Sequence, residues 1–140
     1  LGAGKIAINE GVFSTDSTFL GEGGIDIGSS FGNATLRMSA PGAMFVPATK
    51  ITTLGSVGGT IDVSEATGDI RWDGIITGGT LNKAGLGTLQ LNAASTYSGP
   101  TNVQAGTLAV SPATLPSSTT ADVSAGATLS ILPTTTTNQI

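Results

Sequence analysis

Four carboxylates fall close together in this chain: Asp62, Glu65, Asp69 and Asp73. Oxygen ligands converging from a loop are what a Ca²⁺ ion takes, so these four are the metal candidates. A pair of carboxylates flanking a cleft would serve glycoside hydrolysis, but that chemistry also needs aromatic rings for the sugar, and Trp72 and Tyr97 are the only larger polar aromatics. Acids at turns and on outward strand faces have a plainer use, keeping a β-rich surface soluble, and this is the expected role of the four. Lys83 carries an amine that burial would turn into a base, yet no neighbour in sequence suggests a partner for it. Outward solvation or a hydrogen bond in a turn is its expected use. The chain has no histidine and no cysteine, which removes imidazole bases, thiolate metal sites and Ser-His or Cys-His nucleophile pairs. Neither an enzyme activity nor a cofactor is expected.

A second stretch with metal-binding character is Gly21–Gly28, "GEGGIDIG". It resembles the Ca²⁺-binding nonapeptide of β-roll toxins, G-G-x-G-x-D-x-U-x. Glu22 replaces a glycine, Gly28 replaces the large apolar residue, and no tandem copy follows to share the ion. Trp72 and Tyr97 could stack a ligand if exposed, but single aromatics at chain corners more often pack the core. Phe13, Phe19, Phe31 and Phe45 cluster in the first third, where a wider core is their expected use, ahead of an apolar cap.

Charged residues are only 10% of the chain and the net charge is −4, which excludes the basic surface that nucleic acid or anionic lipid requires. No run of apolar residues is long enough for a membrane-spanning helix. Nor is there the series of roughly 10-residue alternating strands with aromatic girdles that builds a membrane barrel. Gly, Thr and Ser make up about two residues in five, yet the hydrophobic fraction of 39% is too high for a disordered linker. The chain opens on Leu-Gly-Ala-Gly without an initiator methionine, so a segment of something longer, or a processed product, is expected.

Helical periodicity is absent, and short alternating runs bounded by Gly, Asn, Asp or Ser recur instead. They read as strands at 5–9, 24–27, 34–38, 59–63, 69–72, 79–82, 88–91, 101–103, 107–110, 121–123 and 128–131. "NVQAGTLAV" at Asn102–Val110 aligns with "DVSAGATLSI" at Asp122–Ile131, 20 to 21 residues on. Ile61 and Leu81, each preceded by Gly-Gly-Thr, give the same spacing upstream. A period near 20 made of several short strands predicts an all-β chain, a parallel β-helix (β-solenoid) with coils of about 20 residues, in which stacking buries what a single coil cannot. Three stretches are distinguished: a β-rich portion at 1–57 that matches the coils weakly, the repeat region at 58–131, and a Thr-rich extended tail at 132–140.

"IITGGTLNKAGLGTLQLNAASTYSGPTNVQAGTLAV", Ile75–Val110, resembles the autotransporter-associated β-strand repeat of secreted passenger regions in Gram-negative bacteria. The matching positions are Lys83, Gly85, Gly87, Thr88, Leu89 and Leu91, then Tyr97, Gly99, Thr101, Val103, Ala105, Gly106, Thr107, Leu108 and Val110. Pro100 departs from the pattern, at a position where a turn accepts proline. The resemblance implies a right-handed β-helix exported to the bacterial surface or beyond, with repeat residues that are structural rather than catalytic. The expected function is a non-enzymatic adhesive or structural passenger segment. A filament or surface-layer subunit joined through coil ends or strand addition is the alternative, and a β-helix carbohydrate-active enzyme fragment the second. Expected partners are neighbouring coils of a longer chain or further copies of this one, together with a host or bacterial surface ligand. Neither nucleic acid nor a membrane span is expected.

Overall fold

Strands alternate large apolar and small polar residues, and a strand points successive side chains to opposite faces, so each run can bury only one set. The computed structural model describes residues 4–16, 23–117 and 119–133. Its strands follow the chain as β1 (Ile6–Ile8), β2 (Gly11–Thr15), β3 (Ile25–Ile27), β4 (Ala34–Met38), β5 (Gly42–Val46), β6 (Thr52–Leu54), β7 (Gly59–Val63) and β8 (Gly68–Trp72). Then come β9 (Ile76–Gly78), β10 (Leu81–Ala84), β11 (Thr88–Leu91), β12 (Thr101–Val103), β13 (Thr107–Val110), β14 (Ala121–Val123) and β15 (Thr128–Ile131). No helix occurs among the described residues.

The strands sort into three parallel sheets, β1-β3-β6-β9, β2-β4-β7-β10-β12-β14 and β5-β8-β11-β13-β15, numbered here sheets one to three. From β3 to β11 the chain visits the sheets in rotation, so one circuit is one coil. The result is a β-solenoid of about 5 turns with coils about 22 residues apart. Steps are 20 residues from Leu81 to Thr101 and again to Ala121. They reach 27 from Ile25 to Thr52, where longer corners intervene. All three sheets run past residue 57 without a break.

Four strands escape the reading of the sequence: Gly11–Thr15, Gly42–Val46, Thr52–Leu54 and Ile76–Gly78. The first two carry contiguous apolar residues in place of alternation, and the others are three residues long. The alignment of Ile61 with Leu81 is also displaced: Gly59 pairs with Leu81, and Ile61 with Lys83. The second Gly-Gly-Thr belongs to a corner, where Gly78 has φ +98, and the strand begins only at Leu81.

Inward residues form columns that cross the coils in register. Met44, Ile70, Leu89, Leu108 and Leu129 make one, and Val46, Trp72, Leu91, Val110 and Ile131 make the next. Every member is buried up to the last coil, where Ile131 is 55% exposed. The phenylalanines do not form the expected wider core. Phe31 projects from the β3–β4 corner and is 98% exposed, Phe45 lies on the outer face of sheet three, and Phe13 occupies an inward register but on an end coil. Phe19 lies outside the described residues. The early coils are filled instead by Ile25, Ile27, Leu36, Met38 and Val46, whose registers point inward.

Replacing Leu89 by Ala is expected to cost about 2–5 kcal/mol, the usual range for emptying a packed core position. Asp69→Ser, on the outer face of the same sheet, is expected to stay within about 0.5 kcal/mol. Urea unfolding of the two variants checks this, and equal losses would refute the assignment of faces.

Candidate functional site: the corner around Lys83

Lys83 stands in an inward column, between Ile61 of the preceding coil and Val103 of the next. It is fully buried. A bare ammonium in that position would be costly, so its contacts decide the matter. Nζ donates to the carbonyl oxygens of Ala84 at 2.7 Å, Gly85 at 2.9 Å and Ala105 at 3.2 Å. These carbonyls line the corner between sheets two and three on successive coils, where the chain turns out of the ladder and its oxygens need other donors. One amine ties two coils together there. The turn hydrogen bond expected of this lysine is present, and the outward-solvated alternative is not.

Burial pushes the Lys83 amine down to about 8, with the negative charge of Asp62 opposing the shift. Asp62 accepts from Arg37 Nε at 2.7 Å through Oδ2, while its Oδ1 is buried with no hydrogen-bond partner. Glycine is required at this corner for two reasons. Gly85 and Gly106 have φ of +77 and +63, and a Cβ at Gly106 would collide with the Gly85 and Gly87 carbonyl oxygens. Gly87 donates its N–H to Val63 O at 2.9 Å.

The other repeat residues complete the same coil. Leu89, Leu91, Val103, Leu108 and Val110 are buried core members. Tyr97 is buried too, and its hydroxyl shares a hydrogen bond with Thr101 Oγ1 at 2.6 Å. Burial pushes its phenol up, with the Thr101 bond opposing. It sits in a stretch without assigned strand that still continues sheet one, since Thr96 N donates to Ile76 O and Ser98 N to Gly78 O, both at 2.8 Å. Gly99 lies close against Thr80, and Pro100 presents its carbonyl to Leu81 N at 3.1 Å. Trp72 is buried between Val46 and Leu91, so neither large aromatic is exposed for stacking.

The acidic quartet is dispersed. Asp62 belongs to sheet two and Asp69 to sheet three, while Glu65 lies in the turn between them and Asp73 beyond the end of β8. Among the described residues, no three His, Cys, Asp or Glu side chains gather to hold a metal ion. Asp62 is taken by Arg37 and Asp73 by Arg71, so the acids act as surface and pairing groups. Asp26, from the glycine-rich stretch, pairs with Lys5. Gly21 and Glu22 of that stretch lie outside the described residues.

Two polar features were missed. Asn102 Nδ2 donates to Asn82 Oδ1 at 2.8 Å, and Asn82 Nδ2 to Gly59 O at 3.4 Å, a ladder running up sheet two. Its signal was the Asn recurring 20 residues apart. Lys50 is buried as well and donates to Gly23 O at 2.6 Å, for which nothing local in the sequence gave warning.

A solenoid whose polar interior contacts seal corners belongs to the class of parallel β-helix repeat proteins. Residues 81–110, from β10 through β13, match the passenger-associated-transport-repeat family. That match falls within the stretch resembling the autotransporter repeat, and the parallel solenoid fits it. No curated protein and no solved structure matches the chain.

The depressed amine sets the direction of a pH effect. Between about pH 8 and the ordinary lysine value of 10.5, the unfolded chain holds a proton that the folded chain has released. Stability therefore rises with pH across that window, by on the order of 1 kcal/mol per pH unit. Chemical denaturation at stepped pH should show this slope, and Lys83→Met should flatten it; equal slopes would remove Lys83 as its source. Gly106→Ala is expected to cost on the order of 1–3 kcal/mol from forced backbone geometry, read in the same assay.

Proposed function

We propose that this chain is a non-enzymatic structural segment of an extracellular passenger, a shaft that holds an adhesive surface away from a bacterial cell. One observation carries the reading: the passenger repeat at 81–110 falls on consecutive coils in which its motif residues serve packing and corner closure. Lys83, Gly85, Gly106 and Tyr97 are used up by geometry, which leaves the outer faces for whatever is displayed. A rigid stack of like coils suits that task, because each coil adds length without a new core design.

A second reading is favoured by the coil ends. Phe13 in the first described coil and Val123 and Ile131 in the last occupy inward registers yet are exposed, surfaces that fit a further coil of the same chain or of another copy. Stacked copies of the chain would form a filament. Sedimentation of the purified chain over a range of concentrations decides this, since a filament subunit gains mass with concentration and a shaft segment does not.

The principal test uses the full parent passenger in its native host. Gly106→Ala, which strains the repeat corner, is expected to lower the amount of passenger released by protease from intact cells. Undiminished surface passenger, with the purified variant shown to be destabilised, would sink the reading. So would turnover of a polysaccharide by the purified chain.

A further inference from the structure

The outer face of sheet three joins an exposed aromatic ring to a network of polar side chains. Sheet two presents Thr35, Thr60, Asn82 and Asn102 in one outward column and the Arg37–Asp62 ion pair in the next. On sheet three the outward column runs Phe45, Arg71, Gln90 and Ala109 across successive coils. Phe45 is 46% exposed, and the Arg71 guanidinium lies 5.6 Å from the centre of its ring. Beside this column the backbone ladder continues one residue past the strands, with Asp73 N donating to Val46 O at 2.8 Å and Asn92 N to Trp72 O at 3.0 Å. That extension places Asp73 and Asn92 as a second row.

The two rows are locked together. Arg71 Nε and Nη2 each donate to Asp73 at 3.0 Å, Asn92 Nδ2 donates to Asp73 Oδ1 at 2.6 Å, and Gln90 Nε2 donates to Asn92 Oδ1 at 3.0 Å. The guanidinium and the amide hold the Asp73 carboxyl below its usual range. Each side chain is oriented by its neighbour, so little rotamer freedom is left to lose on binding. The Arg71 side chain stays largely exposed and Gln90 is half-buried, so both flank the apolar ring at the surface. Ala109 follows in the column and is buried.

We propose that this strip, Phe45, Arg71, Asp73, Gln90 and Asn92, is a binding site for a linear, neutral, equatorially linked glycan. Three observations select that ligand. Neighbouring strands lie about 4.8 Å apart, a spacing of the same order as the advance per ring of an extended pyranose chain. An exposed ring paired with planar hydrogen-bonding groups suits a ligand with a flat C–H face and peripheral hydroxyls. Charge excludes the anionic alternative: Arg71 is neutralised by Asp73, and the chain as a whole carries −4. The site supplies the displayed surface of the shaft proposed above and rests on that reading for its biological setting.

The test is an NMR titration of the purified ¹⁵N-labelled chain with cellohexaose, run in parallel with an anionic heparin hexasaccharide. Cellohexaose is expected to shift amides around 44–46, 70–73 and 89–92, with Kd on the order of 1 mM. Phe45→Ala and Gln90→Ala should each weaken binding about tenfold with an unchanged thermal midpoint, while Thr60→Ala on sheet two leaves it intact. Absence of shifts with cellohexaose, shifts elsewhere, or equal binding of the heparin fragment overturns the proposal. Surface yield of the Phe45→Ala passenger separates the two readings. Lost glycan binding with normal yield confirms the strip and leaves the shaft standing; normal yield without any glycan binding in the parent removes the strip alone.

Discussion

Everything in this molecule depends on parallel strands stacking in register, one coil above the next. A residue on any strand meets the residue one coil away, not a partner across a hairpin. Like therefore sits on like: Leu89 on Leu108, Asn82 on Asn102, Ile25 over Ile6. Apolar columns bury surface on both sides of each member, and polar columns bond along the axis. A single polar residue facing inward breaks a column unless its hydrogen bonds are met nearby. Lys83 is the case in point, because its stem continues the column between Ile61 and Val103 while its head reaches corner carbonyls.

Corners carry the chemical specificity that the faces lack. On faces, Leu, Ile and Val exchange places from coil to coil. At the turn between sheets two and three, backbone carbonyls approach so closely that glycine is needed, and the amine of Lys83 fastens the result. Tyr97 and Thr101 perform a related task at the corner between sheets one and two, where their hydroxyls meet. The repeat motif is thus a list of corner requirements separated by permissive strand positions.

This division explains what could be read from residues alone. Val103 with Val123 and Leu108 with Leu129 were legible because their coils are short and tightly cornered, which keeps the spacing near 20. The earlier coils use steps such as Gly42 to Gly68, and no fixed period links them. Gly42–Val46 was lost for another reason: four apolar residues in a row hide which two face inward. The acids near Asp69 looked adjacent because spacing in sequence ignores the corner that sends them to different sheets. Lys83 was recognisable as a motif member, but its burial depends on register with Ile61, which only the paired strands reveal.

The outer strip on sheet three follows from the same stacking rule, applied to residues that packing does not consume. Phe45, Arg71 and Gln90 share no motif and lie 26 and 19 residues apart, so no local pattern joins them. The ladder brings them to consecutive strands and fixes their spacing. Because each coil touches only its neighbours, changing such a strip leaves the columns beneath it intact. A solenoid can therefore vary its outward residues freely while its corners stay constant. The buried columns and the corner glycines hold the coils together, and the outward positions of the same strands take no part in that packing.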